Sequence, residues 1–192
     1  MIKLQNAYAS YKNVRDASWQ VLIKFKVKEL PVDTIKIASE TNIVTLKNSE
    51  VNEMDENESG ISYFYNGKWY IIYDDTMPKG RIRFTIAHEL GHIFLGHELI
   101  GQHRRTFNPN KPQIETQADI FASRLLAPAC VLWGLNITTS EEIMQLCGIS
   151  HQAAEIRAER MKELYQRNKF LISPLERQVF EQFKDFINER RR

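Results

Sequence analysis

The amino-acid sequence predicts an α+β fold, on three observations. Two runs of aromatic and β-branched residues flank the dipeptide Asn66-Gly67, a helical pattern occupies 82–96, and the last third of the chain is helical in pattern almost throughout. Strand signals are thus gathered in one stretch with helix signals on either side. That segregation marks α+β, since an α/β chain would alternate them.

The 192 residues fit one domain of ordinary size, or one with a small appendage. With 43% hydrophobic residues the chain can bury a sizeable core, and a net charge of +2 argues against a bulk pull toward nucleic acid or membrane. No stretch approaches the roughly 18 uninterrupted apolar residues of a membrane span, and the first residues lack the pattern of an export signal. A cytoplasmic protein is therefore expected. In that compartment Cys130 and Cys147, both in apolar surroundings, read as buried reduced thiols.

Taken in order, Asn6 to Lys28 is broadly helical, and Asp33 stands as an N-cap before a short second helix. Residues 43–46 read as a strand and 48–60 as an exposed acidic loop. Ile61–Tyr65 and Lys68–Tyr73 then form a hairpin, because Asn-Gly suits the type I′ turn. The next helix starts near Ile82 and stops at Gly96, which tolerates the positive φ of a helix end. Further helices are expected at 113–126, 140–146, 151–164 and 170–192. This organisation divides into residues 1–135 and a helical region, 136–192, resembling a helix-turn-helix at 140–164.

The helix at 82–96 carries His88-Glu89-Leu90-Gly91-His92. At about 100° per residue its two histidines lie about 40° apart with Glu89 in the same arc, while Ile86, Leu90, Ile93 and Phe94 take the opposite one. Two imidazoles on one face can share a metal ion and the carboxylate between them can work on water, which is the zinc-peptidase arrangement. Small Ala87 and Gly91 let a neighbouring element come close.

A catalytic site needs a third protein ligand. The metzincin continuation is absent: Leu95 and Glu98 stand where its glycine and third histidine would be. His97 is a lesser candidate, reachable only if Gly96 breaks the helix. Glu115 and Asp119 suit the task better, four apart on one helical face with Ile120, Phe121, Leu125 and Leu126 to bury the rest. Glu115 can ligate while Asp119 accepts the ring N–H of a ligand histidine. Zinc is the default for such a donor set, and affinity order alone leaves Mn²⁺ and Fe²⁺ open.

The run from Arg83 to His97, followed by Glu115-x-x-Ala118-Asp119-x-Phe121-Ala122-x-x-Leu125-Leu126-x-Pro128, resembles the ImmA/IrrE family of zinc metallo-endopeptidases. The resemblance extends over about Ile61 to Pro128. It implies a zincin-like fold related to thermolysin, metal on His88, His92 and Glu115, and a catalytic Glu89. It also implies a substrate class: a helix-turn-helix repressor, often encoded nearby on a phage or mobile element, whose cleavage derepresses genes. Ala127 departs from the Met common before the proline in that family, a packing difference.

Chemically, Glu89 would take a proton from the attacking water and deliver one to the leaving amine. An oxyanion donor is also needed, for which His97, His103 and Arg124 are candidates. The hairpin can offer an edge to an extended peptide or serve structure alone. In the C-terminal region Ile143, Leu146, Ile149, Ala153 and Ile156 are spaced to pack two helices, with Ser150 capping the second. That second helix mixes Glu155, Glu159 and Glu163 with its basic residues, so packing or substrate docking is favoured over DNA contact. The alternative function is a non-proteolytic regulator acting on DNA or a repressor through this region.

Overall fold

A computed structural model describes residues 2–97, 103–106 and 113–191. Its elements are α1 (Ile2–Lys24), α2 (Thr34–Glu40), β1 (Ile43–Lys47), α3 (Asn48–Val51), β2 (Glu58–Tyr65), β3 (Lys68–Tyr73), α4 (Lys79–Leu95) and β4 (His103–Thr106). There follow α5 (Gln113–Leu126), α6 (Ala129–Gly134), α7 (Ser140–Cys147), α8 (His151–Gln166), α9 (Pro174–Gln182) and α10 (Lys184–Arg190). The α+β class holds. The chain divides into two compact units, Asp33–Ala122 and a second made of Met1–Val32 with Ser123–Arg192.

In the first unit a four-stranded sheet runs in the order β1-β3-β2-β4. Its centre is the hairpin β2–β3, where Asn66 and Gly67 have φ of 48° and 76°, the double positive φ of the tight turn. Cross-strand pairs set the register: Ile61 faces Ile72, and Tyr63 stacks on Tyr70 with ring centroids 5.3 Å apart. The sheet is not purely antiparallel, for β1 joins β3 in parallel. Strand β4 pairs antiparallel with β2, an element without a sequence signal. Helix α4 lies against β2 and β3 and touches α2. It ends at Gly96 with φ 70°, where the His97 N–H bonds back to the His92 carbonyl.

The acidic stretch 48–60 differs from the loop its composition suggests. Asn48 Oδ1 accepts from the Glu53 and Met54 amides, and Glu58 accepts from the Asp55 amide. These local bonds organise the backbone, and Glu58 and Ser59 are buried at the start of β2.

The second unit is helical. Gln182 of α9 donates to the Leu22 and Val27 carbonyls at 2.8 and 2.6 Å, tying the end of α1 to α9. Helix α1 stops at Lys24, short of Lys28. The expected terminal helix is two: buried Phe183 closes α9, its N–H bonded to the Val179 and Phe180 carbonyls, before α10 begins. Helix α7 opens with a capping box between Thr139 and Glu142, Gly148 turns with φ 58°, and Ser150 caps α8. Ile143 and Ile149 are buried, but Ile156 is 64% exposed. The inward face of α8 is Ala154, Arg157, Ala158 and Met161, so the expected packing of Ile156 does not occur. Cys130 and Cys147 are buried free thiols. No described helix is long and apolar enough to cross a membrane.

Candidate metal centre

Helix α4 has one face against the sheet and carries His88, Glu89 and His92 into the interior, all three fully buried. Burying three such groups is costly unless each finds a partner. Close approach of α5 is possible because Gly91 lacks a Cβ, which would sit 3.2 Å from the Ala118 Cα and 3.1 Å from the Phe121 ring. One turn before Ala118, α5 presents Glu115 to both histidines. Its Oε2 is 3.3 Å from His88 Nε2, and its Oε1 is 3.3 Å from His92 Nε2. The two Nε2 atoms are 3.0 Å apart. Among the described residues, these three side chains form a group whose ligating atoms all lie within 4.8 Å of one another.

Proton positions decide what that triangle can hold. Asp119 Oδ1 lies 2.7 Å from His88 Nδ1, and an ionised carboxylate only accepts, so the His88 proton sits on Nδ1. His88 Nε2 then turns a lone pair toward His92 and Glu115. A carboxylate and two imidazole nitrogens facing inward repel unless a cation, or a proton on His92 Nε2, lies among them. Tetrahedral bonds of about 2.0–2.1 Å separate donor atoms by about 3.3 Å, the distance from Glu115 to each histidine, with the two Nε2 atoms slightly closer at 3.0 Å. The residues therefore fit a divalent metal.

Glu89 points instead toward the sheet. Its Oε2 accepts from the buried Ser62 hydroxyl at 2.7 Å. Gly60, on the same face of β2, makes room for it: a Cβ there would stand 3.2 Å from Glu89 Oε1 and 2.5 Å from Thr85 Cγ2. Neither Ser62 nor Gly60 carries a motif signal, and only strand alternation places them together on one face.

The remaining candidates are dispersed. His97 Nδ1 lies 3.1 Å from His92 Nδ1, and its Nε2 lies 2.9 Å from Gln117 Oε1. The His103 backbone pairs with Ser62 in the sheet; its side chain lies outside the described residues. Arg124 belongs to the other unit, where burial and the charges of Arg157 and Arg160 lower its pKa to about 9.

Residues 39–159, well over half of the chain, match a peptidase family described as the IrrE N-terminal-like domain. No curated protein matches the sequence.

Proposed function

The chain belongs to that IrrE N-terminal-like peptidase family, and from this premise we propose that it is a zinc-dependent endopeptidase of narrow specificity. The observation that carries the reading is the convergence of His88, His92 and Glu115 within 4.8 Å, with Glu89 beside them on the same helix. A divalent metal held by these three residues supplies Lewis acidity, which acidifies water and polarises a carbonyl. Glu89 is the general base and then the acid: it takes the proton of the attacking water and passes it to the leaving amine. Ser62 orients the carboxylate through Oε2. Asp119 holds the His88 ring in the ligating tautomer.

The substrate we propose is a helix-turn-helix transcriptional repressor, cleaved so that its target genes are released. This follows from the resemblance of the two sequence blocks. A cytoplasmic site of action goes with it. DNA binding through α8 has less support. His151, at the start of that helix, sits between Glu141 and Glu155, and Arg157 is buried in place of facing a groove.

The test compares new protein N-termini in cells expressing wild type or Glu89→Gln at equal levels. Loss of a general base lowers turnover by about 10²–10⁴-fold, so wild-type-specific termini should gather in one DNA-binding regulator. Identical profiles, with the wild type folded and metal-loaded, would move the reading to the non-proteolytic regulator.

A further inference from the structure

The two histidines of the metal centre are supported from behind by different devices. Behind His88 stands a carboxylate, Asp119, at 2.7 Å. Behind His92 stands another imidazole, His97, which in turn meets a side-chain amide, Gln117. We infer that His97, oriented by Gln117, is a positioning residue that sets the ligating tautomer of His92; the inference rests on the metal-centre reading above.

The proton order follows from the inventory of donors. Gln117 Oε1 can only accept, so the His97 proton lies on Nε2, 2.9 Å away. A neutral His97 then has a lone pair on Nδ1. That atom faces His92 Nδ1 at 3.1 Å, so His92 donates there and keeps Nε2 unprotonated. Nε2 is the atom directed at His88 and Glu115. Amide, imidazole and ligand thus form one line in which each proton position dictates the next.

Backbone geometry makes this reach possible. Five residues past His92, a continuing helix would carry His97 to another face. Gly96, at φ 70°, turns the chain, and the His97 N–H to His92 carbonyl bond of 3.0 Å holds the turn. The His97 ring returns edge-on to His92, with centroids 5.1 Å apart at 72°.

The unlike supports also differ in charge. A divalent ion with Glu115, Asp119 and the basic carboxylate Glu89 ionised sums to −1. A second carboxylate behind His92 would add to that negative charge and lessen the metal's pull on electrons. The His97–Gln117 pair fixes the ring while adding no charge.

The experiment measures Zn²⁺ affinity by competition with a chromophoric chelator, and the visible spectrum with Co²⁺, on the full chain. Four forms are compared: wild type, His97→Ala, His97→Asn and Gln117→Glu. His97→Ala should bind Zn²⁺ about 10–100-fold more weakly. Asn places an acceptor oxygen where His97 Nδ1 now lies, so His97→Asn should recover much of that loss and return the Co²⁺ spectrum toward wild type. Gln117→Glu should bind more tightly, since it adds negative charge to the line. Affinity of His97→Ala within twofold of wild type would overturn the inference. So would equal weakening in His97→Ala and His97→Asn, the mark of lost packing alone. Should His97→Ala fail to fold, Gln117→Glu decides: tighter Zn²⁺ binding supports the inference, and unchanged or weaker binding would overturn it. Failure of wild type to bind either metal would overturn the metal centre itself, and this inference with it.

Discussion

Helices α4 and α8 are nearly equal in length, 17 and 16 residues, and both turn charged or titratable side chains inward. On α4 the buried groups meet partners outside the helix: Asp119 at His88, Ser62 at Glu89, His97 at His92. Their remaining donor atoms converge on one point with Glu115. On α8 the buried group is Arg157, whose Nε has no hydrogen-bond partner among the described residues. Burial lowers its pKa to about 10, with the Cys147 and Cys130 thiols and Glu176 acting the other way. Buried charge by itself therefore does not mark a site. What separates the two helices is convergence: atoms from α4 and α5 aimed at a common centre, with proton positions set from behind.

Four measurements test that contrast, and the largest effect concerns the convergence itself. Glu115→Ala removes the only carboxylate of the ligand triangle. It should weaken metal binding by more than the about 10–100-fold expected when a supporting residue is lost. Metal affinity near wild type by chelator competition would mean that the convergence is not a binding site.

Next in size is Gly60→Ala. The new methyl would fall 2.5 Å from Thr85 Cγ2, on a short β-branched side chain with little freedom to move. Overpacking of this kind costs about 1–3 kcal/mol, readable by urea unfolding, and should also reduce turnover by displacing Glu89. Wild-type stability would show that β2 does not press on α4.

The third concerns burial in the helical unit. Cys130 is raised from 9.0 to about 12, chiefly by burial. Above pH 9 the unfolded chain gives up a thiol proton that the folded chain keeps, so this contribution to stability is full below pH 9 and falls as pH rises. The loss reaches about 1.4 kcal/mol by pH 10. Cys130→Ala should lack that component when urea unfolding is compared at pH 8 and pH 10. Equal slopes would mean that the thiol is more solvated than its burial implies.

The smallest effect is expected at Ile156 of the helix-turn-helix-like region, with Ile143 as its buried counterpart. Ile156→Ser, at a position 64% exposed, should change stability by no more than about 0.5 kcal/mol. Ile143→Ala, at a wholly buried one, should cost about 2–5 kcal/mol. Similar costs at both would place Ile156 in a packed interface.

Much of this architecture was legible because its signals are local. Asn66-Gly67 dictates a tight hairpin through φ alone, Gly96 ends α4 by the same property, and Ser150 caps α8 through its own side chain. The spacing of His88, Glu89 and His92 needed nothing beyond the 3.6-residue period. Illegible features depend on residues distant in sequence. The parallel pairing of β1 with β3 has no local cause, and a four-residue β4 has no pattern long enough to notice. Ile156 fits a helical stripe as well as its neighbours do, yet the direction of the stripe is chosen by what packs on α8.

The element types, the turn at Asn66-Gly67, the end of α4 and the helical spacing of side chains able to ligate a metal are written in the sequence. Each rests on backbone sterics or helical periodicity, which act within a few residues. Tertiary packing alone brings Ser62 and Gly60 around Glu89, sets Glu115 against both histidines and puts Gln117 beside His97. Those contacts arise where separate elements close on one another. Their geometry is set by burial of polar groups that must find partners, a requirement no local pattern expresses.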